Sequence, residues 1–90
     1  MFLTFLGKRY RFRYVRMKHD YGQCDNPIKK GKEIRICPGQ TERQELGTCT
    51  HEAMHALAWK MLDEAWVAQA SEDLATMLWR LGWRKVAPAG

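Results

Sequence analysis

Two periodicities divide the chain. From Lys8 to Arg16, basic and aromatic residues alternate: Lys8-Arg9-Tyr10-Arg11-Phe12-Arg13-Tyr14-Val15-Arg16. A period of two with aromatics on one side predicts a strand with Tyr10, Phe12 and Tyr14 inward and the arginines outward. Phe2 to Leu6 is expected to extend this strand across a bend at Gly7. The segment His19 to Pro27 is rich in turn formers and reads as a loop. Lys32-Glu33-Ile34-Arg35-Ile36-Cys37 alternates again and predicts a second strand, paired antiparallel with the first and ended by Pro38-Gly39.

From Thr41 the period becomes helical. Thr41 is the expected N-cap and Gln44 stands where a capping box needs it, with a helix running to about Leu62. Asp63 is the expected cap of a second helix that reaches Leu81 and closes at Gly82. There Trp66, Val67, Ala70, Leu74, Met77, Leu78 and Leu81 recur at spacings of three and four, an apolar stripe expected to face the core. The expectation is an α+β fold: a small antiparallel sheet of two or three strands followed by two packed helices. Residues 1–40 are expected to form the β-hairpin region, 41–62 the first helix, 63–82 the second helix and 83–90 a tail.

Ninety residues make one domain, and so small a core gains from a bound metal. The three cysteines, Cys24, Cys37 and Cys49, are an odd number without a close pair, which fits a reducing compartment better than a disulfide framework. The apolar start is too short, and its positive cluster falls on the wrong side, for a signal peptide. No run approaches a membrane span, so a cytoplasmic location is expected. Residues 1–50 carry 11 Lys/Arg against 5 Asp/Glu. That excess makes an anionic partner such as nucleic acid worth considering beside a merely soluble surface. Because a strand sets the arginines opposite the aromatics, the pattern suits phosphate contact better than base stacking.

The chemistry gathers at His51-Glu52-Ala53-Met54-His55. Residues four apart share a helix face, so His51 and His55 can aim two imidazoles at one cation. Glu52 stands about 100° round the helix, within reach of a water on that cation without displacing it. Zinc lowers the pKa of such a water toward ~7, and the carboxylate can take its proton. A catalytic zinc needs a third ligand, and a carboxylate near Asp63 and Glu64 is the expected source. With the stripe taken as inward, Glu72 faces solvent, Asp73 sits at one edge and Glu64 at the other, where it can turn toward the first helix. Glu64 is the preferred ligand, and Asp63 is kept as the cap. A closed site of Cys24, Cys37, Cys49 and His51 is a rival without the paired spacing such sites use.

The five-residue motif resembles the zinc signature of zincin metallopeptidases. Glu64-Ala65-Trp66-Val67-Ala68-Gln69-Ala70 is similar to the glutamate-bearing second helix of gluzincin-type members. Leu6-Gly7-Lys8-Arg9, Tyr21-Gly22-Gln23-Cys24-Asp25, Lys32-Glu33-Ile34-Arg35-Ile36, Asp63-Glu64 and Leu78-Trp79-Arg80-Leu81-Gly82-Trp83-Arg84 resemble stations of a family of very small metallopeptidases of phages and bacteria. The resemblance implies a Zn2+ enzyme with His51, His55 and Glu64 as ligands, Glu52 as general base and a peptide or protein substrate. It also implies that a strand beside the active helix, here Glu33 to Cys37, receives an extended substrate.

Overall fold

The computed structural model describes residues 1–86. The last four residues of the expected tail, 87–90, lie outside the described residues. The elements are β1 (Phe2–Phe5), β2 (Lys8–Tyr14), β3 (Gly22–Cys24), β4 (Glu33–Ile36), α1 (Glu42–Leu57) and α2 (Glu64–Arg80). They form an α+β fold, a four-stranded mixed sheet followed by two helices. No helix among the described residues is long and apolar enough to cross a membrane.

Phe2 to Leu6 does not prolong the first strand. It folds back as a hairpin, with Phe2 opposite Arg11 and Phe5 opposite Lys8. Leu6 and Gly7 both take positive φ, 50° and 76°, as a two-residue turn matched to strand twist requires. Gly7 adopts that conformation without steric cost, whereas Leu6 does not.

The sheet order is β1-β2-β4-β3, and β4 pairs with β2 in parallel, not antiparallel as expected. The cause is the segment read as a loop. It contains β3, which runs back along β4, so the chain has already reversed once before β4 enters beside β2. β4 therefore has a neighbour on each side, and β3 is the edge.

One face of the sheet carries the core. Tyr10, Ile34 and Ile36 are buried there with Ala56 of α1, and Phe5, Phe12, Cys24 and Cys49 pack around them. Tyr14 faces the same side but lies at the end of the sheet and stays exposed. Its hydroxyl donates to Glu45 and accepts from Lys85. Burial raises the Cys24 thiol to about 12 and the Cys49 thiol to about 11, so both are inert packing groups at neutral pH.

α1 begins as expected. The Gln44 N–H donates to the Thr41 hydroxyl at 3.2 Å, and the Thr41 N–H donates to Gln44 Oε1 at 3.1 Å. The helix stops at Leu57, however, five residues before the expected end. Lys60 takes a positive φ of 56° just beyond it, so the chain turns without the glycine that usually marks such a stop. α2 closes as expected at Gly82, whose φ is 92°. The Trp83 N–H donates to the Leu78 carbonyl and the Gly82 N–H to the Trp79 carbonyl, the two bonds of a Schellman end.

α2 is turned about its axis relative to the expectation. Its buried line is Val67, Ser71 and Ala75, at strict spacings of four. These small side chains let α2 approach α1 closely enough for the Thr50 hydroxyl to donate to the Ser71 carbonyl at 3.2 Å. Of the apolar stripe, Trp66 is 53% exposed and Leu81 68% exposed, and Leu74 and Met77 also face solvent. Val67 belongs to both lines, and the inward direction lies roughly 80° round the helix from the stripe's centre. Glu72 is exposed as expected, and its carboxylate also meets Arg43 of α1 at 2.6 Å, which helps tie the helices together.

Gly22 holds β3 against α1. A Cβ at this position would stand 2.7 Å from Thr48 Cγ2 and 3.0 Å from both Glu52 Cγ and Glu52 Oε2. Thr48 cannot swing aside freely, because its hydroxyl is bonded to Gln40 Oε1 at 2.7 Å. Gly22→Ala is expected to lower stability by about 1–3 kcal/mol through overpacking. Denaturant unfolding checks this; an unchanged midpoint would mean that β3 shifts at no cost.

Candidate metal centre

His51 and His55 lie on the face of α1 that meets α2, and Glu64 opens the first turn of α2 directly opposite. The short reversal at residues 58–63, set by the early end of α1, makes this meeting possible. His51 Nε2 is 3.0 Å from Glu64 Oε1, His55 Nε2 is 3.2 Å from Glu64 Oε2, and the two Nε2 atoms are 3.1 Å apart. The three side chains form a donor group that can hold a metal ion, with ligand atoms within 4.8 Å of one another. Donors on a tetrahedral cation with bonds of ~2.0 Å stand ~3.3 Å apart, so the observed separations suit such an ion. Among the described residues no such group contains a cysteine, and Cys24, Cys37, Cys49 and His51 are not brought together as one.

A neighbouring serine suits the tautomer a metal requires. Ser71 donates its hydroxyl hydrogen to the Ala68 carbonyl at 3.1 Å, and its oxygen lies 3.4 Å from His51 Nδ1. That oxygen can accept from an Nδ1–H, the tautomer that leaves the Nε2 lone pair free toward Glu64 and His55. Ser71 is buried and went unnoticed in the sequence, although it stands seven residues after Glu64 on one helix face. Ser71→Ala is expected to weaken metal binding about tenfold while the protein stays folded. Competition with a chromophoric chelator measures this, and an unchanged affinity would show that the serine only packs.

Glu52 points to the other side of His51, into the space between α1 and β3. Only 7% of it is exposed. Its carboxyl is raised to about 7, chiefly by burial, with Glu64 and Asp20 adding to the effect and His51 opposing it. A carboxyl that titrates near neutrality can both take and return a proton under ordinary conditions.

A cleft of about 550 Å3 has walls that include Tyr21, Gly22, Arg43, Thr48 and Glu52, and His51 is the one member of the donor group that lines it. The strand on this cleft is β3 and not the segment Glu33 to Cys37, since β4 is paired along both edges. The Cys37 N–H donates to the Tyr21 carbonyl and the Asp25 N–H to the Glu33 carbonyl. By the alternation of an antiparallel ladder, the backbone groups of Gly22 and Cys24 point the opposite way, to the free edge.

No protein-family model matches the chain, and no match is found among curated proteins or solved structures.

Proposed function

We propose that this chain is a zinc-dependent hydrolase, most simply a minimal peptidase of zincin type. The observation that carries the reading is the convergence of His51, His55 and Glu64, with His51 and the buried carboxyl of Glu52 both lining an open cleft. Two imidazoles and one carboxylate are a donor set typical of catalytic zinc, which when bound supplies the Lewis acidity that makes water a nucleophile near neutral pH.

The chain's own groups divide the remaining work. Glu52 takes the proton of the attacking water and later gives it to the departing amine. Its raised pKa suits both halves of that task. Ser71 keeps His51 in the tautomer that a metal requires. The free edge at Gly22 and Cys24 offers backbone donors and acceptors to an extended peptide, which would lie along the cleft as an added strand. With only three residues in β3, this grip is short and favours unfolded or extended segments over folded proteins.

The test is incubation of the zinc-loaded protein with a mixed peptide pool, read by mass spectrometry. New termini that vanish with a chelator and in Glu52→Gln support the reading. Identical termini in wild type and variant would assign them to a contaminant and sink it.

A further inference from the structure

Among the described residues, no element covers the face of the sheet turned away from α1. Cross-strand partners share a face, so the register sets its contents. Phe2 lies beside Arg11, Arg11 beside Glu33, and Arg13 beside Arg35. Arg9 is two residues before Arg11 and therefore on the same side. The core residues Tyr10, Ile34 and Ile36 all face the opposite way. Four arginines thus share one uncovered face with two carboxylates, Glu33 and Asp25.

Those carboxylates are committed to one half of the face. Glu33 is 3.2 Å from Arg13 and 3.3 Å from Arg35, and Asp25 is 2.8 Å from Arg35. Among the described residues, neither Arg9 nor Arg11 forms an ion pair. The half around them is uncompensated positive charge. It also contains an aromatic that the alternation of the second strand alone did not place there. Phe2 comes from β1, is exposed, and has the Arg9 guanidinium 3.8 Å above its ring centroid.

We infer that this open sheet face, centred on Phe2, Arg9 and Arg11, binds single-stranded nucleic acid. Phosphates would meet Arg9 and Arg11, and an unpaired base would stack on the Phe2–Arg9 platform. Three features favour this occupant. The charge is complementary to a polyanion. The cations are arginines, whose planar groups both pair with phosphate and stack on bases. The single aromatic is already faced by a guanidinium, which gives a flat stacking surface and little hydrocarbon for insertion into a lipid surface. Because the metal cleft lies on the other side of the sheet, the inference stands or falls independently of the hydrolase reading.

The test is fluorescence anisotropy of a labelled oligothymidylate across a salt series. Wild type is expected to bind, with affinity falling steeply as salt rises. Arg9→Ala with Arg11→Ala should weaken binding at least tenfold and reduce the log–log salt slope by about 1.4, the loss of two phosphate contacts to a single strand. Phe2→Ala should weaken it roughly 5- to 100-fold through lost stacking. Arg9→Lys with Arg11→Lys keeps the charge but not the planes, and should lie between wild type and the double alanine variant. Lys60→Ala with Arg80→Ala removes the same charge from the helical side and should change affinity less than about twofold, the charge being beyond a Debye length's strong influence. Circular dichroism confirms that each variant is folded. Equal losses from the two double alanine variants would overturn the inference, because binding would then follow net charge. So would full affinity in both Phe2→Ala and the lysine variant, or binding to phosphatidylserine vesicles with none to the oligonucleotide.

Discussion

Glu52→Gln is expected to cut the rate of zinc-dependent peptide hydrolysis by roughly 10²- to 10⁴-fold while leaving metal content intact. The amide has the shape of the carboxyl but cannot take the proton of an attacking water. Stability should not suffer. A carboxyl whose pKa rises from 4.5 to about 7 on folding opposes folding once pH exceeds its unfolded value, because the folded chain then ionises it less readily. Removing that ionisation leaves the protein equally stable or slightly more so above neutrality. Rate, metal content and thermal midpoint measured on one preparation separate these effects. A variant that keeps its zinc and the wild-type rate would exclude Glu52 as the base.

Removing the metal should have the second large effect. Among the described residues the largest fully buried side chains are Tyr10, Ile36 and Val67, so the hydrophobic core is small. α2 meets α1 through Val67 and the small residues Ser71 and Ala75, which add little apolar area, and through the Glu64 carboxylate at the histidines. A cation joining Glu64 to His51 and His55 would fasten the start of α2 to α1. With free zinc at about a thousand times its dissociation constant, the linkage is worth ~4 kcal/mol. For a chain of this size that is a fall of roughly 15–30 °C in the melting midpoint on adding a chelator. His55→Ala should melt near the lower temperature from the start and ignore the chelator. Equal chelator sensitivity in wild type and His55→Ala would place the stabilising metal elsewhere.

The parts of this molecule that were legible in the sequence are those fixed by local geometry. His51 and His55 share a face because a helix repeats every 3.6 residues. Thr41 with Gln44 announces a capping box, and Gly82 announces a helix end. Each signal needs only a few neighbouring residues. The sheet was less legible, because pairing is not local. Gly22-Gln23-Cys24 is too short to show alternation, and once it is a strand the direction of β4 follows from it. The end of α1 was hidden because Lys60 performs the left-handed turn that sequence reading assigns to glycine.

α2 shows a different limit. Trp66, Leu74, Met77 and Leu81 have the periodicity of a buried stripe but face outward; of that stripe Val67 does lie on the true contact line, whose other members, Ser71 and Ala75, carry little hydropathy signal. Periodicity gives the existence of a face, not the side on which its partner stands. Glu64 was reached from that mistaken centre. It stands at the histidines for another reason: it precedes Val67, Ser71 and Ala75 by 3, 7 and 11 residues and so belongs to the line that meets α1.

The most direct test of His51, His55 and Glu64 as the ligands of one zinc ion is elemental analysis of purified wild type, His55→Ala and Glu64→Ala after dialysis at neutral pH. Stoichiometric zinc is expected in the wild type, none in His55→Ala and a clear deficit in Glu64→Ala. Full zinc in Glu64→Ala, or none in the wild type, would contradict this ligand set.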